Sequence, residues 1–494
     1  MMTMSPTTQK PINTRAVMIV VCLALAAVVA AMSSLNVALP DIARSTHASQ
    51  TQLSWIIDAY SLIFASLLLP AGAIGDRYGR RKTLLAGLAI FGVASIVAMT
   101  AGSASELIGL RGLMGLGAAL VMPATLSTIT STFPDDKRPQ AVGVWAGVAG
   151  GSAILGLLAS GTLLEFFSWR SVFGLNVALA AIAIVAAWRV VPESADASAP
   201  KLDLIGAALS VAGLVVVVYS IIEAPEAGWL SARTLAGIVG GLVILALFIL
   251  FELRTANPML NPRIFARRGL SAGSLSIFMQ FFAFFGFIFV VLQYLQMVRG
   301  DSPLISAVSM LPLAAVMMPS ARLAPRLTEK FGSRPVCVVG LVLVSAGLLV
   351  LSRLDVTSSY WLLLAGLIPL GIGMGTAMTP ATSAITGALP RAQQGVASAM
   401  NDLSREVGGA LGIAVLGSVL TQGYRNNLEL PQVPAELLEK ARESFAGASH
   451  AGGQIAAHAD VAFASGMQSA LLLASIAVLA AALAVGLLMP KTAD

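Results

Sequence analysis

The stretch Gly72-Ala-Ile-Gly-Asp-Arg-Tyr-Gly-Arg-Arg-Lys82 decides how this chain folds. It holds three glycines, four positive charges and one carboxylate, Asp76. On both sides the sequence is apolar for about 20 residues, the length that crosses a bilayer as a helix. Charges this dense between two apolar runs predict a tight loop at the membrane surface. Because Lys and Arg of short loops stay on the cytoplasmic side, we expect the loop to be cytoplasmic.

The composition also indicates a membrane protein. Of the 494 residues, 57% are hydrophobic and only 11% are charged, and the mean hydropathy is +0.85. A soluble protein carries about 25% charged residues, so a soluble enzyme explains this composition poorly. The net charge of +6 would suggest nucleic acid binding in a soluble protein. Here cytoplasmic loops that face anionic lipid account for it, so we expect a lipid bilayer and no nucleic acid as partner.

Fourteen helical spans are predicted from the apolar runs. The loops between them are mostly short, except for residues 423–463, where a surface helix is predicted to begin near Pro434. A cytoplasmic loop at 72–82 places both termini in the cytoplasm. The spans lie near residues 16–38, 52–74, 83–101, 106–130, 139–164, 170–190, 203–223, 233–253, 270–297, 302–323, 335–353, 359–380, 393–422 and 464–489.

An internal repeat divides these spans into two halves. The stretch Pro325-Arg-Leu-Thr-Glu-Lys-Phe-Gly-Ser-Arg334 echoes the opening stretch, 253 residues later. Pro123-Ala-Thr-Leu-Ser recurs as Pro380-Ala-Thr-Ser-Ala. Two glycines, Gly156 and Gly161, recur 256 residues later as Gly412 and Gly417. Three echoes in the same order indicate that the second half is a parallel copy of the first.

The repeat predicts an all-α polytopic membrane protein. We expect an N-terminal six-helix bundle at residues 1–200, two inserted transmembrane helices at 201–255 and a C-terminal six-helix bundle at 256–494. Two like halves with a binding site at their interface are a transporter architecture. No nucleotide-binding loop with Gly-Lys-Ser/Thr is present, so we expect neither an enzyme nor ATP as the energy source. No metal site is predicted.

Several motifs together resemble a known family. Gly72-x-Ile-x-Asp-Arg-x-Gly-Arg-Arg resembles the loop signature of the major facilitator superfamily. With fourteen spans, Asn36-Val-Ala-Leu-Pro40, Trp55-Ile-Ile-Asp-Ala-Tyr60 and Leu110-Arg-Gly-Leu-Met-Gly-Leu-Gly117, the chain resembles its fourteen-span drug:proton antiporter family, and within it the quaternary-ammonium exporter group. The resemblance covers nearly the whole chain. It implies the major facilitator fold and a bacterial inner-membrane location.

Two positions depart from the family pattern. The family usually carries an Asp five residues before the Asn of Asn-Val-Ala-Leu-Pro, where this chain has Ala31. It also usually reads Gly-Pro-x-x-Gly-Gly in the fifth span, a motif associated with antiport, where this chain has Leu157 in place of Pro. Without that proline, the kink that a missing helix bond would impose is not expected.

Asp58 is the residue expected to couple transport to protons. An ionisable group inside a span costs about 2.5–3.5 kcal/mol on insertion scales, so it needs a reason to be there. A carboxylate in a low-dielectric cavity can load and release a proton near neutral pH, and the resemblance implies an Asp at this place in exporters. The alternative is a structural ion pair with Arg111. No cofactor is expected, because a proton gradient would supply the energy.

Three further charges inside spans are candidates for the same process. Asp402 and Glu406 share a helix face at spacing i, i+4, and Arg405 can pair with Asp402. They either form a structural pair or take part in cation binding or proton relay. The resemblance implies that Arg111 modulates proton exchange. The alternative for Arg111 is a helix-end residue that extends to the membrane surface.

The loop at 72–82 is predicted to be a conformational latch. Asp76 can lie at the N-terminus of a neighbouring helix, where the helix dipole favours a negative charge, and can pair with an Arg across the cytoplasmic face. Such contacts would exist only when that face is closed. The alternative, a topology signal alone, explains the basic residues but not Asp76. The latch residues are Gly72, Asp76, Arg77, Gly79, Arg80 and Arg81.

The ninth predicted span carries most of the candidate substrate surface. Its Phe residues can form adaptable apolar walls and can hold a cation over their faces, and its Gln residues are expected to point inward. The predicted substrate-binding residues are Tyr60, Phe281, Phe285, Gln293, Gln296 and Asn401. The predicted substrate is a small amphiphilic molecule and the predicted state is a monomer.

We therefore expect proton-coupled efflux of amphiphilic, cationic drugs or antibiotics by alternating access. Two alternatives stay open: an exporter dedicated to one metabolite or antibiotic, and a lipid-handling membrane protein without proton coupling. The lipid-handling alternative is favoured by Ala31, which stands where the family has Asp, and by Leu157, which stands where it has Pro.

Overall fold

The structure is a computed structural model of the 494-residue chain. It describes residues 13–134, 137–195, 203–256, 258, 260–389, 394–429, 438, 441–442, 444–450 and 453–490. Within these residues fourteen helical segments are long and apolar enough to cross a membrane, and no β-strand occurs. The predicted number of spans and the all-α class are confirmed.

The helices follow the chain in a simple order. A 3-10 turn, Pro262–Ala266, precedes α9, and a π turn, Tyr294–Val298, extends it. The helices are α1 Thr14–Thr46, α2 Gln50–Tyr78, α3 Arg80–Ala98, α4 Ala104–Thr132, α5 Arg138–Phe166, α6 Arg170–Val190, α7 Leu204–Ala227, α8 Ala232–Arg254, α9 Arg268–Gln293, α10 Pro303–Ser309, α11 Leu311–Phe331, α12 Ser333–Leu351, α13 Tyr360–Gly387, α14 Gln394–Asn427, α15 Phe445–His450 and α16 Gly453–Leu488.

Some helices differ in extent from the sequence prediction. The first span continues to Thr46 and the last begins at Gly453, because both helices extend beyond their most apolar residues. One predicted span consists of two helices, α10 and α11, which are separated at Met310. The predicted start of a surface helix at Pro434 lies outside the described residues.

Two glycines set the reversals of the chain at corresponding places in the two halves. Gly79 lies between α2 and α3 with φ of +118°, and Gly332 lies between α11 and α12 with φ of +88°. Side chains other than that of glycine rarely adopt such angles. At the opposite end of α2, Ser49 and Gln52 form a capping box that begins the helix.

The two halves repeat the same helix packing. In the first half, α1 contacts α4, α5 and α6, and α3 contacts α4 and α6. In the second half, α9 contacts α13, α14 and α16, and α12 contacts α13 and α16. The pair α2–α4 corresponds to the pair α11–α13. The repeat that the sequence predicts is therefore a repeat of contacts as well as of motifs.

The first glycine of each repeated pair brings two helices of one half together. A Cβ atom at Gly156 in α5 would lie 2.9 Å from the Cα of Ala30 in α1. A Cβ atom at Gly412 in α14 would lie 2.8 Å from the Cα of Phe282 in α9. Real Cβ atoms do not approach this closely, so each site needs a residue without a side chain. Small residues at such crossings are how helices pack inside membranes.

The second glycine of each pair lies where the halves meet. Gly161 in α5 faces α10, and a Cβ atom added to Gly161 would lie 3.0 Å from the Cβ of Ala307. Gly417 in α14 faces α2, where a Cβ would be 2.7 Å from the Oγ of Ser54. The halves therefore meet along two seams, which we name the α2–α14 seam and the α5–α10 seam.

The hydrogen bonds that join the two halves, within the described residues, cluster near one membrane face. We name the face that carries the α1–α2 turn, residues 47–49, the closed face, and the face that carries Gly79 the loop face. Among the described residues, the hydrogen bonds between 13–195 and 260–490 lie near the closed face. They are Gln50 Nε2 to Gln293 Oε1 at 3.0 Å, Gln296 Nε2 to the carbonyl of Val37 at 2.9 Å, and Ser444 Oγ to the carbonyl of Ala48 at 3.4 Å.

The two inserted helices cover one of the seams. Helix α7 packs against both α2 and α14, and α8 packs against α7. The Oγ of Ser418 in α14 donates a hydrogen bond of 2.6 Å to the carbonyl of Ile221 in α7. The other seam has an apolar crevice between α5, α9 and α10–α11, in which Leu157 faces Met310.

The glycine contacts lead to a stability prediction for α5. We expect Gly156→Ala to lower the free energy of unfolding by about 1–3 kcal/mol, because the added methyl group overpacks the α1–α5 crossing. Thermal unfolding of the purified protein in detergent measures this. Gly147→Ala in the same helix is the control, since a Cβ there meets no atom within 4 Å. Equal melting temperatures for the two variants would contradict the prediction.

Candidate functional site

Asp58 is buried in α2 without a partner. Its side chain is 0% exposed, and neither carboxylate oxygen has a hydrogen-bond partner among the described residues. One turn earlier, Ser54 faces Gly417 of α14. One turn later, Leu62 packs with Val218 of α7 and Ala414 of α14. Because residues four apart share a helix face, Asp58 lies on the side of α2 that forms the α2–α14 seam.

Arg111 in α4 does not pair with Asp58. Its Nε donates a hydrogen bond of 3.0 Å to the carbonyl of Ile56, and its Cζ lies 4.2 Å from the centre of the Tyr60 ring. The structure shows no bond from Arg111 to Asp58, so the alternative of an ion pair between them is wrong. With 1% exposure, Arg111 also does not extend to the membrane surface.

Tyr60 holds Arg111 and ties α2 to α1. Its hydroxyl donates a hydrogen bond of 3.1 Å to the carbonyl of Val28. Gly115 of α4 lies against its backbone carbonyl and leaves no room for a side chain there. The ring is fully buried, so in this conformation Tyr60 supports Arg111. A direct contact between Tyr60 and substrate stays a prediction.

A second charged cluster lies on α14. Arg405 Nη1 is 3.8 Å from Asp402 Oδ1, and its Cζ lies 4.7 Å from the centre of the Phe281 ring in α9. Glu406 is 3% exposed, and its Oε2 has no hydrogen-bond partner among the described residues. The predicted pairing of Arg405 with Asp402 is therefore present. One carboxylate, that of Glu406, is left without such a pair.

The predicted aromatic wall is present on α9. The ring of Phe281 contacts those of Phe284 and Phe285, with ring centres 6.5 Å and 6.0 Å apart. Asn401 of α14 accepts a hydrogen bond of 3.1 Å from Thr382 Oγ1. Aromatic faces beside two carboxylates can hold a cation, so this cluster has the chemistry of a cation site.

The structure brings Gln293 and Gln296 into other contacts. Both side chains form the hydrogen bonds between the halves at the closed face. In this conformation they join the two halves at the closed face, and a contact of either residue with substrate stays a prediction. Gln50, which bonds to Gln293, and Ser54, which faces Gly417, were not predicted from the sequence. Gln50 faces a glutamine and Ser54 a glycine of the second half, and these contacts arise only when the two halves have folded together.

The loop that carries the predicted latch forms local contacts. Asp76 pairs with Arg80 one turn later, at 2.9 Å. The acid at the N-terminus of α3 is Glu193, which accepts a hydrogen bond of 3.2 Å from the Arg81 backbone. Glu193 was not identified from the sequence, and the predicted position of Asp76 at a helix N-terminus stays a prediction. Glu193 follows the end of α6 directly, which is the signal that could have identified it.

Gly72 and Arg77 lie in α2, which continues to Tyr78, so the loop predicted at 72–82 is in fact a turn at Gly79 between two helices. The Cζ of Arg77 lies 5.9 Å from the Tyr78 ring centre, and Gly72 faces Pro123 of α4. Among the described residues, no hydrogen bond or ion pair crosses from this loop to the second half. The hydrogen bonds shown between the halves, in the described part of the chain, are those at the closed face. The role of these residues as a latch stays a prediction.

Comparison with known proteins places the chain among transporters. The model of the Major Facilitator Superfamily matches residues 21–413. The chain is 35% identical over 492 residues to the multidrug efflux pump LfrA of Mycolicibacterium smegmatis, with 97% of each chain covered. It is 35% identical to the methyl viologen resistance protein SmvA of Salmonella typhimurium, with 83% of each chain covered.

The fold also matches a solved transporter structure. A bacterial homologue of the human lysosomal transporter Spinster, described as inward-facing and unoccupied, aligns with a TM-score of 0.69 and 18% identity. The alignment covers 97% of both chains. At this identity the likeness concerns the fold alone.

The contact between Arg111 and Tyr60 gives a prediction for two substitutions. We expect Tyr60→Leu to destabilise the protein by about 2 kcal/mol more than Tyr60→Phe, because only Leu removes the aromatic face under the buried guanidinium. Tyr60→Phe loses only the hydroxyl bond to Val28, about 1 kcal/mol. Thermal unfolding of both variants measures the difference. Equal destabilisation would show that the ring does not support Arg111.

Proposed function

The chain belongs to the major facilitator superfamily, and from this premise we propose that it exports amphiphilic, cationic drugs or antibiotics in exchange for protons. It is a multi-pass transporter of the bacterial inner membrane. Its relatives include proteins named for multidrug efflux and for resistance to methyl viologen, which support drug export. Proton coupling and the cationic character of the substrate are our proposal.

The observation that carries the proposal is the buried, unpartnered carboxylate of Asp58 in the α2–α14 seam. An ionised carboxylate without a partner is costly to bury. We infer that this seam closes only when Asp58 carries a proton. When the closed face opens, water reaches the seam and the ionised form is tolerated. Closure of this face is thereby coupled to proton uptake.

The charge pattern of the loops gives this coupling a direction. If the loop face is cytoplasmic, as the positive charges at 77–82 predict, the closed face is external. The exporter then takes up a proton from outside as it closes behind a released drug. It carries the proton inward in the conformation seen here. Because the α2–α14 seam cannot close over an ionised Asp58, each closure brings in a proton after the drug has left, and drug is thereby exchanged for protons.

The cluster on α14 supplies the chemistry for the drug. Arg405 is occupied by Asp402 and by the face of Phe281. Glu406 is left to attract a cation, and the rings of Phe281 and Phe285 offer apolar walls for its hydrophobic part. Since α14 also forms the seam with Asp58, binding of a cation and protonation act on the same helix.

The role of Asp58 is tested by its neutral analogue. We expect Asp58→Asn to abolish efflux of ethidium from energised cells while expression and melting temperature stay normal, because the amide cannot carry a transferable proton. Wild-type efflux should also stop when an uncoupler is added. Glu165→Gln, at an exposed position of α5, is the control and should export normally.

Either of two results would contradict this role. Normal efflux by Asp58→Asn would remove Asp58 from the coupling. Wild-type efflux that ignores the uncoupler would favour transport without proton coupling.

Because the α2–α14 seam is closed in this conformation, cysteines placed on its two sides are expected to form a disulfide. Ser54→Cys with Gly417→Cys, in a background with Cys22→Ser and Cys337→Ala, should form a disulfide, because these side chains would be in contact. Oxidation should stop efflux and a reductant should restore it, since transport needs the seam to open. Ser54→Cys alone is the control. Full efflux with the disulfide formed would show that this seam does not open.

A further inference from the structure

A pocket outside the two halves has no role in the mechanism described above. It lies between α7 and α8, at the end where the two helices are joined, and has a volume of about 280 Å³. That end belongs to the closed face. Ligand sites that enclose drug-sized molecules are about 300–1,000 Å³. The pocket is thus large enough for a headgroup and too small to enclose a whole amphiphile.

Two opposite charges line this pocket without touching each other. Both Glu223 of α7 and Arg233 of α8 contribute to its wall. No ion pair joins them in the part of the chain that the structure describes. Each is held by a different aromatic residue instead: Trp55 Nε1 donates to Glu223 Oε1 at 3.0 Å, and Arg233 Nη2 donates to the hydroxyl of Tyr219 at 2.8 Å.

Apart from the hydroxyl groups of Ser220 and Thr234, the rest of the pocket lining is mainly apolar. Val215 and Val216 form one side and Gly237 the other. Gly237 lies so close to Ser220 that no side chain fits between the helices there. Beyond the pocket, α8 presents exposed apolar side chains, with Leu235 47% and Val239 58% exposed. These surfaces suit acyl chains that continue into the bilayer.

The aromatic residues fit a position at the membrane boundary. Trp and Tyr are enriched where helices leave the hydrocarbon core. Tyr219 is 41% exposed and its ring lies 5.8 Å from that of Trp55. The pocket therefore combines a carboxylate, a guanidinium and an apolar floor at headgroup depth.

We propose that this pocket binds one zwitterionic aminophospholipid, with its ammonium group at Glu223 and its phosphate at Arg233. A headgroup that carries both signs can meet both charges, because Glu223 and Arg233 line the same pocket and form no ion pair within the described residues. An amphiphilic cation would find the carboxylate but would also meet the guanidinium. Anionic lipid would find Arg233 but would be repelled by Glu223.

The bound lipid would contact the machinery of transport through Trp55. This residue lies on α2, one turn before Asp58, and holds the carboxylate that receives the ammonium group. The lipid would thereby fix α7 against α2 at the seam. Binding itself does not depend on drug export, and its test needs no transport.

Native mass spectrometry of the purified full chain tests the proposal. The protein is incubated with an equimolar mixture of dioleoyl phosphatidylethanolamine and dioleoyl phosphatidylglycerol. We expect the wild type to retain one phosphatidylethanolamine in preference to phosphatidylglycerol. Glu223→Gln should lower this preference by roughly fivefold, the effect of one exposed ion pair. Its amide oxygen still accepts the bond from Trp55, so the fold is kept.

Two variants complete the test. Arg233→Gln should weaken both lipids alike, because both carry a phosphate. Glu226→Gln, an exposed position on the same helix outside the pocket, should behave as the wild type. A preference that Glu223→Gln leaves unchanged, or its absence in the wild type, overturns the proposal. Displacement of the lipid by ethidium, lost in Glu223→Gln, would assign the pocket to cations and overturn it as well.

Discussion

A charge buried in a membrane protein without a partner must be neutralised, and this constraint acts here on the carboxylate of Asp58. The seam that buries it is formed by α2 and α14, one helix from each half. In this seam Ser54 of α2 approaches Gly417 of α14, and beside it, at the closed face, Gln50 of α2 bonds to Gln293 of α9. In the proposed mechanism, a proton on one oxygen atom therefore decides whether the two halves can pack together. The neighbouring guanidinium of Arg111 does not relieve the constraint, because it is bound to a backbone carbonyl and an aromatic ring.

The two halves reach the seams by the same means. In each half, one glycine lets two helices of a bundle cross closely, and a second glycine five residues later lets the bundle meet its partner. The same pair of glycines, repeated in each half, thus forms both seams. The inserted helices then make the seams different, since α7 covers the α2–α14 seam and leaves the apolar crevice at Leu157 and Met310 uncovered.

Much of this arrangement could be predicted from the sequence, and the reasons for the failures are physical. The apolar runs predicted the spans and the repeated motifs predicted the two halves, because both depend on nearby residues. The loop predicted at 72–82 is a turn at the single residue Gly79. Asp58 and Glu406 were identified because a carboxylate inside an apolar run is rare. The contacts between the halves were not predictable. Gln293 and Gln296 bond to residues 243 and 259 positions away, and whether Arg111 meets Asp58 depends on the rotation of α2 about its axis. The spacing of nearby residues determines neither these long-range hydrogen bonds nor the rotation of α2.

The contacts of α7 have a mechanical consequence for the rocking of the two bundles. Helix α7 is attached to α2 on one side and to α14 on the other, so it lies as a strap across the α2–α14 seam. Because the proposed mechanism opens this seam, α7 must part from or slide along one of these two helices each time. The inserted helices would thus add resistance to opening at this seam that the seam between α5 and α10 does not have.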